Sequence, residues 1–342
     1  MTPAELSRTV LRAVGGAVDD GEFRAGARGG GGARIVVERP RAGGHGDYAT
    51  NVALQIAKAA GRPPREVAEV LSRRLTATPG IVAADVTGPG FLNLTLGARG
   101  RDCGPLVEDI QRQGLLYGHG DSLRGHRVEL RVPDEPRARV VADAVARIGR
   151  SQGAEVHVVR AQRPGDVTFR PVPAHPRDLV RLIGSDAARW ALLRPAVADH
   201  PRTATAVERA AHLAQRESNP LFRVRYAHAR TRALTRNAAD LGFRAQPGDG
   251  GGADVQDGLV AALADHPRIL LSAARHRAPD RLARHLVDVA DLFLARLNTT
   301  VLPVGEEKPS AAHRARLALA EATGTVLAGG LSLLGIDAPQ HL

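Results

Sequence analysis

Asn219-Pro220-Leu221-Phe222-Arg223-Val224-Arg225-Tyr226-Ala227-His228-Ala229-Arg230 decides how the C-terminal half folds. Phe222, Tyr226, Ala229 and Ala233 fall at i, i+4, i+7 and i+11, which is one stripe of an α-helix. Leu282, Leu286, Val289, Phe293 and Leu297 repeat that spacing downstream. Upstream, Leu179, Leu182, Ile183, Ala187, Trp190 and Ala191 lead into a second helix after Thr203. No strand signal of comparable strength follows Pro176, so the pattern predicts an all-α helix bundle over 177–342, with Gly248 to Gly252 as a loop between its halves.

The N-terminal part reads differently. A helix is expected from Pro3 to Val18, then a glycine-rich connector from Gly26 to Gly32 that lacks the lysine and hydroxyl of a phosphate-binding loop. Ile35, Val36 and Val37 form a short strand. Thr50 or Asn51 caps a helix with Val52, Ile56 and Ala59 on one face, and Pro63-Pro64 opens another carrying Val67, Val70, Leu71 and Leu75. Two strands follow, Ile81 to Val86 and Phe91 to Leu96. In the second, Leu92, Leu94 and Leu96 share one face and Phe91, Asn93 and Thr95 the other. Between the two ends, Val128–Val132, Arg137–Gln152 and Glu155–Val159 make one βαβ unit, too short for a complete doubly wound domain. The fold class is therefore α+β: a small N-terminal α/β domain over 1–118, a linker over 119–176 with a remnant βαβ unit, and the helical bundle over 177–342.

Lysine and arginine number 47 against 36 acidic residues, a net charge of +11. That excess favours a polyanionic partner, although only Lys58 and Lys308 are lysines, which also fits a coding bias towards arginine. The single cysteine, Cys103, excludes an internal disulfide. The start of the chain has no basic stretch leading into an apolar core, and no run approaches the roughly 18 apolar residues of a membrane span, so a cytosolic, membrane-free protein is expected. His119 and His126 have no cysteine or carboxylate at metal-ligand spacing, and Gly118-x-Gly120 lacks the strand and third glycine of a dinucleotide loop.

Five segments carry a resemblance. Gly46-Asp47-Tyr48-Ala49-Thr50-Asn51, Pro89-Gly90-Phe91-Leu92-Asn93-Leu94, Tyr226-Ala227-His228-Ala229-Arg230, Glu321-Ala322-Thr323 and Val326 through Ile336 are similar to the two RNA-binding ends of arginyl-tRNA synthetase. Met1 to about Val132 resembles its N-terminal additional domain, and 177–342 its DALR-type anticodon-binding domain. The resemblance implies tRNA, in particular tRNA-Arg, as partner. In the N-terminal domain it implies contact with the tRNA elbow around Gly88 to Asn93, which makes Phe91 and Asn93 candidates. In the helical domain it implies an anticodon-loop site built from Asn219, Arg223, Arg225, Tyr226, His228, Arg230 and Arg232, with Tyr226 stacking on a splayed base and arginines on phosphates. The competing reading makes Tyr226 and Phe222 core residues and the arginines a solvated face. Asp47, with His45 and Tyr48, reads as fixing a turn.

The same resemblance shows departures. After Arg127 to Val132 the family carries a His-x-Gly-His signature that holds ATP phosphates, whereas this chain reads Pro133-Asp134-Glu135-Pro136-Arg137-Ala138-Arg139. In place of a Lys-Met-Ser-Lys-like loop it has Phe169-Arg170-Pro171-Val172-Pro173-Ala174-His175-Pro176, and no lysine occurs from 59 to 307. It ends Pro339-Gln340-His341-Leu342 where the family closes with Pro-Glu-Arg-Met. No catalytic or metal residue is assigned, and ATP and Mg²⁺ belong only to the full-length family. The expectation is a non-catalytic tRNA-binding relative. A ligase working with a separately encoded catalytic subunit, and an interaction scaffold that has lost RNA, remain as alternatives.

Overall fold

A computed structural model describes residues 3–28, 37–38, 40, 45–97, 103–174, 176, 178–248 and 253–341. Most of the glycine-rich connector, Ile35 and Val36 of the expected first strand, His175, and Asp249 to Gly252 lie outside them. The chain divides into two compact units, Met1–Asp102 and Cys103–Leu342.

The first unit is a four-stranded antiparallel sheet of order β1-β2-β4-β3, made of β1 (Val37–Glu38), β2 (Tyr48–Thr50), β3 (Ile81–Thr87) and β4 (Phe91–Leu96). Helices α1 (Pro3–Asp19), α2 (Val52–Ala60) and α3 (Pro64–Thr76) pack with it. Their core unites Leu6, Val10 and Val14 of α1 with Ile56, Leu71, Leu75, Leu92 and Leu94, the last five from apolar stripes read from the sequence. Gly46 sits at φ +84°, where a Cβ would lie 2.9 Å from the Leu94 oxygen, so only glycine lets this turn close on β4. Asp47 then receives the Leu96 N–H at 2.6 Å, the turn-fixing role expected of it, and the Thr50 hydroxyl receives the Val52 N–H at 3.3 Å.

In the second unit β5 (Arg127–Val132) and β6 (Glu155–Arg160) pair in parallel from Arg127↔Glu155 to Val132↔Arg160, joined by α5 (Pro136–Ser151). This is the expected βαβ unit. It is no linker, however: Val141, Ala142, Val145 and Ile148 of α5 share one core with Leu282, Leu286, Leu327 and Leu331 of the bundle. The first boundary also moves, from 118 to between 102 and 103, because helix α4 (Gly104–Gln113) sends Leu106, Val107 and Ile110 into that same core. The bundle proper contains α6 (Leu179–Ile183), α7 (Ser185–Leu193), α8 (Ala206–Leu213), α9 (Pro220–Asp240), α10 (Ala253–His276), α11 (Pro279–Leu292) and α12 (Ala311–Leu334). By length and composition α12 could cross a bilayer, but 72% of its most apolar stretch is buried in the bundle, which makes it the core helix.

Arg137, in the first turn of α5, is completely buried. Its Nε donates to Leu192 O at 3.1 Å; Nη1 donates to Val172 O at 2.8 Å and Asp199 O at 2.6 Å, and reaches Val197 O at 3.5 Å; Nη2 donates to Ala196 O at 2.9 Å and reaches Pro195 O at 3.4 Å. A planar guanidinium with five N–H groups can serve such a ring of carbonyls; a lysine ammonium, with three, cannot. Arg137→Ala leaves those carbonyls buried without donors, so urea unfolding should show a loss on the order of 3 kcal/mol or more, with Arg137→Lys recovering only part of it.

His266 of α10 and His285 of α11 face each other with ring centroids 5.2 Å apart, and Tyr117 stacks on His266. Burial, aided by the nearby His285 and His119, pushes His266 well below its ordinary value, and burial takes His285 from 6.5 to about 4. Both are neutral in the folded chain and more readily protonated in the unfolded one. Their contribution is complete above pH 6.5 and is lost as the pH falls towards about 4. Melting temperature should therefore drop across that window, and His285→Phe should flatten this part of the profile.

Candidate nucleic-acid interface

Helix α9 carries most of the candidate residues, and its 3.6-residue turn sorts them onto two faces. Phe222, Arg223, Tyr226 and Arg230 lie on one. His228, Thr231, Arg232 and Thr235 lie on the other, with Arg225 beside them. Asn219 belongs to neither. It is buried as the N-cap, where Oδ1 receives the Leu221 N–H at 3.1 Å and Nδ2 donates to His212 O and Ala214 O, each at 2.9 Å. Its amide starts the helix and is not offered to RNA, which corrects its place among the binding residues.

On the first face Tyr226 is 41% exposed and stacks on Phe222, ring centroids 5.7 Å apart at 14°. The helix buries Leu221, Val224, Ala227 and Leu234 instead, so Tyr226 is not a core residue. Arg223 Nε lies 3.2 Å from the Asp291 carboxylate, and Arg230 Nε donates to Asn298 Oδ1 at 2.6 Å in the turn after the π-helical segment Phe293–Leu297. An open aromatic plane is thus flanked by two arginines held in place from α11 and its exit.

The second face meets α12. At Gly324 a Cβ would come 2.3 Å from Thr231 Oγ1, so glycine is what allows the two helices to approach this closely. Above this contact a cavity of about 520 Å³ is lined by Thr231, Arg232, Thr235, Glu321, Thr325 and His228, among others, and bordered by the tail from Gly335 to Gln340. His228 is buried, and its Nδ1–H donates to Pro339 O at 2.9 Å. Burial pushes the imidazole below its usual value, and Arg232 adds to the effect against the carbonyl. Arg225 donates to Asp337 O at 3.1 Å and pairs with Asp186. Arg225 and His228 therefore anchor the tail, while Arg232 is exposed at the rim. Glu321 accepts the Thr235 hydroxyl at 3.1 Å, and burial raises its carboxyl against the pull of Thr235 and Arg232. Thr231 and Thr235 escaped the sequence reading, and Glu321 stood only within a segment of resemblance, without a role at the site.

In the first unit, the other two candidates separate. Phe91, at the start of β4, is 43% exposed. Asn93, two residues on, is buried between Ala49 of β2 and Asp85 of β3, and its Nδ2 donates to Thr87 Oγ1 at 3.3 Å. The alternation put both on one face; the neighbouring strands cover only the inner one.

Residues 224–342 match the DALR anticodon binding domain family, and residues 16–96 match the Arginyl tRNA synthetase N terminal domain family. Both ends of the chain are thus similar to domains of arginyl-tRNA synthetases. It is 28% identical to an arginine–tRNA ligase of Frankia alni over 561 residues, covering all of both chains. With the ligase of Micrococcus luteus it shares 44% identity over 167 residues, 46% of this chain and 30% of the relative. The ligase of Pseudarthrobacter chlorophenolicus is 25% identical over 563 residues, again covering all of both. Among solved structures, Thermus thermophilus arginyl-tRNA synthetase superposes with a TM-score of 0.67 at 15% identity over all of both chains. The Plasmodium falciparum enzyme gives 0.65 at 9% identity over 99% of each. At these identities the structural likeness concerns the fold, which agrees with the α+β reading and its helical C-terminal domain.

Proposed function

We propose that this chain binds tRNA, specifically tRNA-Arg, through its N-terminal and anticodon-binding domains and does not itself activate arginine. The observation that carries the RNA half is the open Phe222–Tyr226 stack between held arginines on the DALR domain, since base–aromatic stacking beside cationic groups is how single-stranded loops are bound.

The catalytic half rests on the start of α5. A helix N-terminus following a parallel strand is the usual phosphate site of nucleotide-binding folds. Here Glu135 fills it: Oε1 receives the Arg137 N–H at 3.0 Å and the Ala174 N–H at 3.1 Å, and Oε2 the Ala138 N–H at 2.7 Å. A carboxylate in that position repels an incoming phosphate and already satisfies the donors it would use. The following Arg137 is turned into the protein, so it offers no charge to a nucleotide. Losing each group that stabilises transition-state charge costs several kcal/mol, and this chain has neither the histidine signature nor the loop lysine. An alignment of 561 residues is also longer than the 342 of this chain, so part of the Frankia relative faces none of its residues.

A second reading has its own support. The relatives aligned along their whole length are named arginine–tRNA ligases, which favours a ligase whose catalytic part is supplied by a separate subunit. Arginine-dependent ATP–pyrophosphate exchange and tRNA charging separate the two. The purified chain should show neither, alone or mixed with fractions of its source cells; charging restored by a fraction would favour the ligase, and charging by the chain alone would refute the proposal. For the RNA half, Tyr226→Ala should lower tRNA affinity by roughly 1–3 kcal/mol with the salt slope nearly unchanged, while Arg232→Ala should lower that slope by slightly under one. Two variants that bind like the parent would remove the basis for RNA recognition on this helix.

A further inference from the structure

We infer that Arg170, Pro173 and Pro176 form one face of a polyproline II ridge, and that this face docks a partner protein through a groove lined by aromatic side chains and ending in carboxylates. The inference stands apart from RNA binding on α9. The segment between β6 and α6 reads Phe169-Arg170-Pro171-Val172-Pro173-Ala174-His175-Pro176. Proline fixes its own φ at about −65° and drives the residue before it into the extended region, so the sequence alone holds Arg170, Pro171, Val172 and Pro173 extended. Such a chain completes one turn about every three residues.

The structure keeps that period. Pro171 and Ala174 are buried, Val172 is half-buried, Arg170 and Pro173 are exposed, and Pro176 is half-buried. Hydrogen bonds secure the inner side: the Val172 N–H donates to Val197 O at 3.1 Å, the Val172 carbonyl accepts from Arg137 Nη1 at 2.8 Å, and the Ala174 N–H donates to Glu135 Oε1 at 3.1 Å. The ridge is therefore fastened from behind and open in front. Beside it a cavity of about 440 Å³, bounded by Pro133, Pro164, Val167 and Pro173, separates it from the loop after β6, which leaves its flank accessible as well.

The side chains on the open face select the partner. Aromatic-lined grooves take Pro-x-x-Pro ligands because a polyproline II segment is already ordered and loses little conformational entropy on binding. Pro173 and Pro176 stand at that spacing, and Arg170 lies one turn earlier on the same face. Arg170 Nη2 donates to Pro164 O, and the rest of its five-donor fork is left for carboxylates at the end of the groove. RNA would meet a single cation on this face, between two rings that carry no N–H; a protein groove of this chemistry engages all three side chains.

The test uses the intact chain, a peptide spanning Phe169 to Arg177, and a purified SH3 domain that selects ligands with an arginine three residues before the first proline of Pro-x-x-Pro, observed by NMR of the labelled domain. The intact chain should shift the resonances of the groove aromatics and bind at least as tightly as the peptide, because the fold already holds the ridge. Pro173→Ala, at an exposed position, should keep the parent's melting temperature and weaken binding about tenfold, and Arg170→Glu should weaken it at least as much. Arg163→Ala, at a neighbouring exposed arginine, should bind like the parent. Binding of the peptide but not of the intact chain would show the segment to be closed within the fold, and binding of neither would show that its sequence does not suit such a groove; either result overturns the inference. So does an equal loss in Arg163→Ala and Arg170→Glu with Pro173→Ala unaffected, which reduces the contact to general charge. Loss of tRNA affinity in Pro173→Ala, with the SH3 domain still bound, would give the ridge to RNA instead and also overturn it.

Discussion

One buried guanidinium organises the second unit. Arg137 draws the segment after α7 and the stretch at Val172 onto the first turn of α5, so that the helix of the βαβ unit is fastened into the bundle. Its neighbour Glu135 closes the same helix end from the outside. Placed this way, α5 holds α12. Arg147 donates to Ser332 O, and Arg189 of α7 pairs with Asp143 of α5 and donates to Leu334 O at 3.0 Å. The C-terminus of α12, and with it the tail over the cavity, is thereby set by contacts that start at the βαβ unit. The βαβ unit thus carries a structural task.

On the proposed function, helix α9 turns that scaffold into a binding surface. Its two faces do different work: the aromatic pair and its arginines lie open, while the opposite face, pressed against Gly324, builds a polar recess and fastens the tail through Arg225 and His228. Several residues that resemble RNA contacts thus act by positioning others. This division explains how a basic chain can retain a shaped site and not merely a charged one, since many of its arginines, including Arg225, Arg189 and Arg137, are engaged by carboxylates or carbonyls.

Periodicity made the elements legible. Pro3–Asp19, Val52–Ala60, Pro64–Thr76, β4 and the βαβ unit end within one or two residues of their expected limits, because each has a clear apolar stripe and a proline, glycine or polar start. Helix α4 was missed: Gly104-Pro105 reads as a break, and only its packing shows that proline stands at the first turn. The division into domains was misplaced for a related reason, since which unit a stripe buries itself against is a long-range fact. At the site, the resemblance located α9 but not the roles of its atoms. That Asn219 is a cap was open to a local rule, asparagine ahead of Pro220 at the first helical position, which the family resemblance overrode; that Asn93 lies under two neighbouring strands and that Glu321 meets Thr235 are contacts across a sheet or between residues far apart in the chain, and no spacing rule encodes them.

On the proposed function, tRNA lies on the open face of α9. Hydroxyl-radical footprinting of the intact chain, with and without saturating tRNA, tests it side chain by side chain. Tyr226 and Phe91 are both solvent-exposed and should lose reactivity when tRNA is added, whereas Val158 and Val159, similarly exposed on β6, should keep theirs. A Tyr226 that reacts at the same rate with tRNA bound would contradict the account.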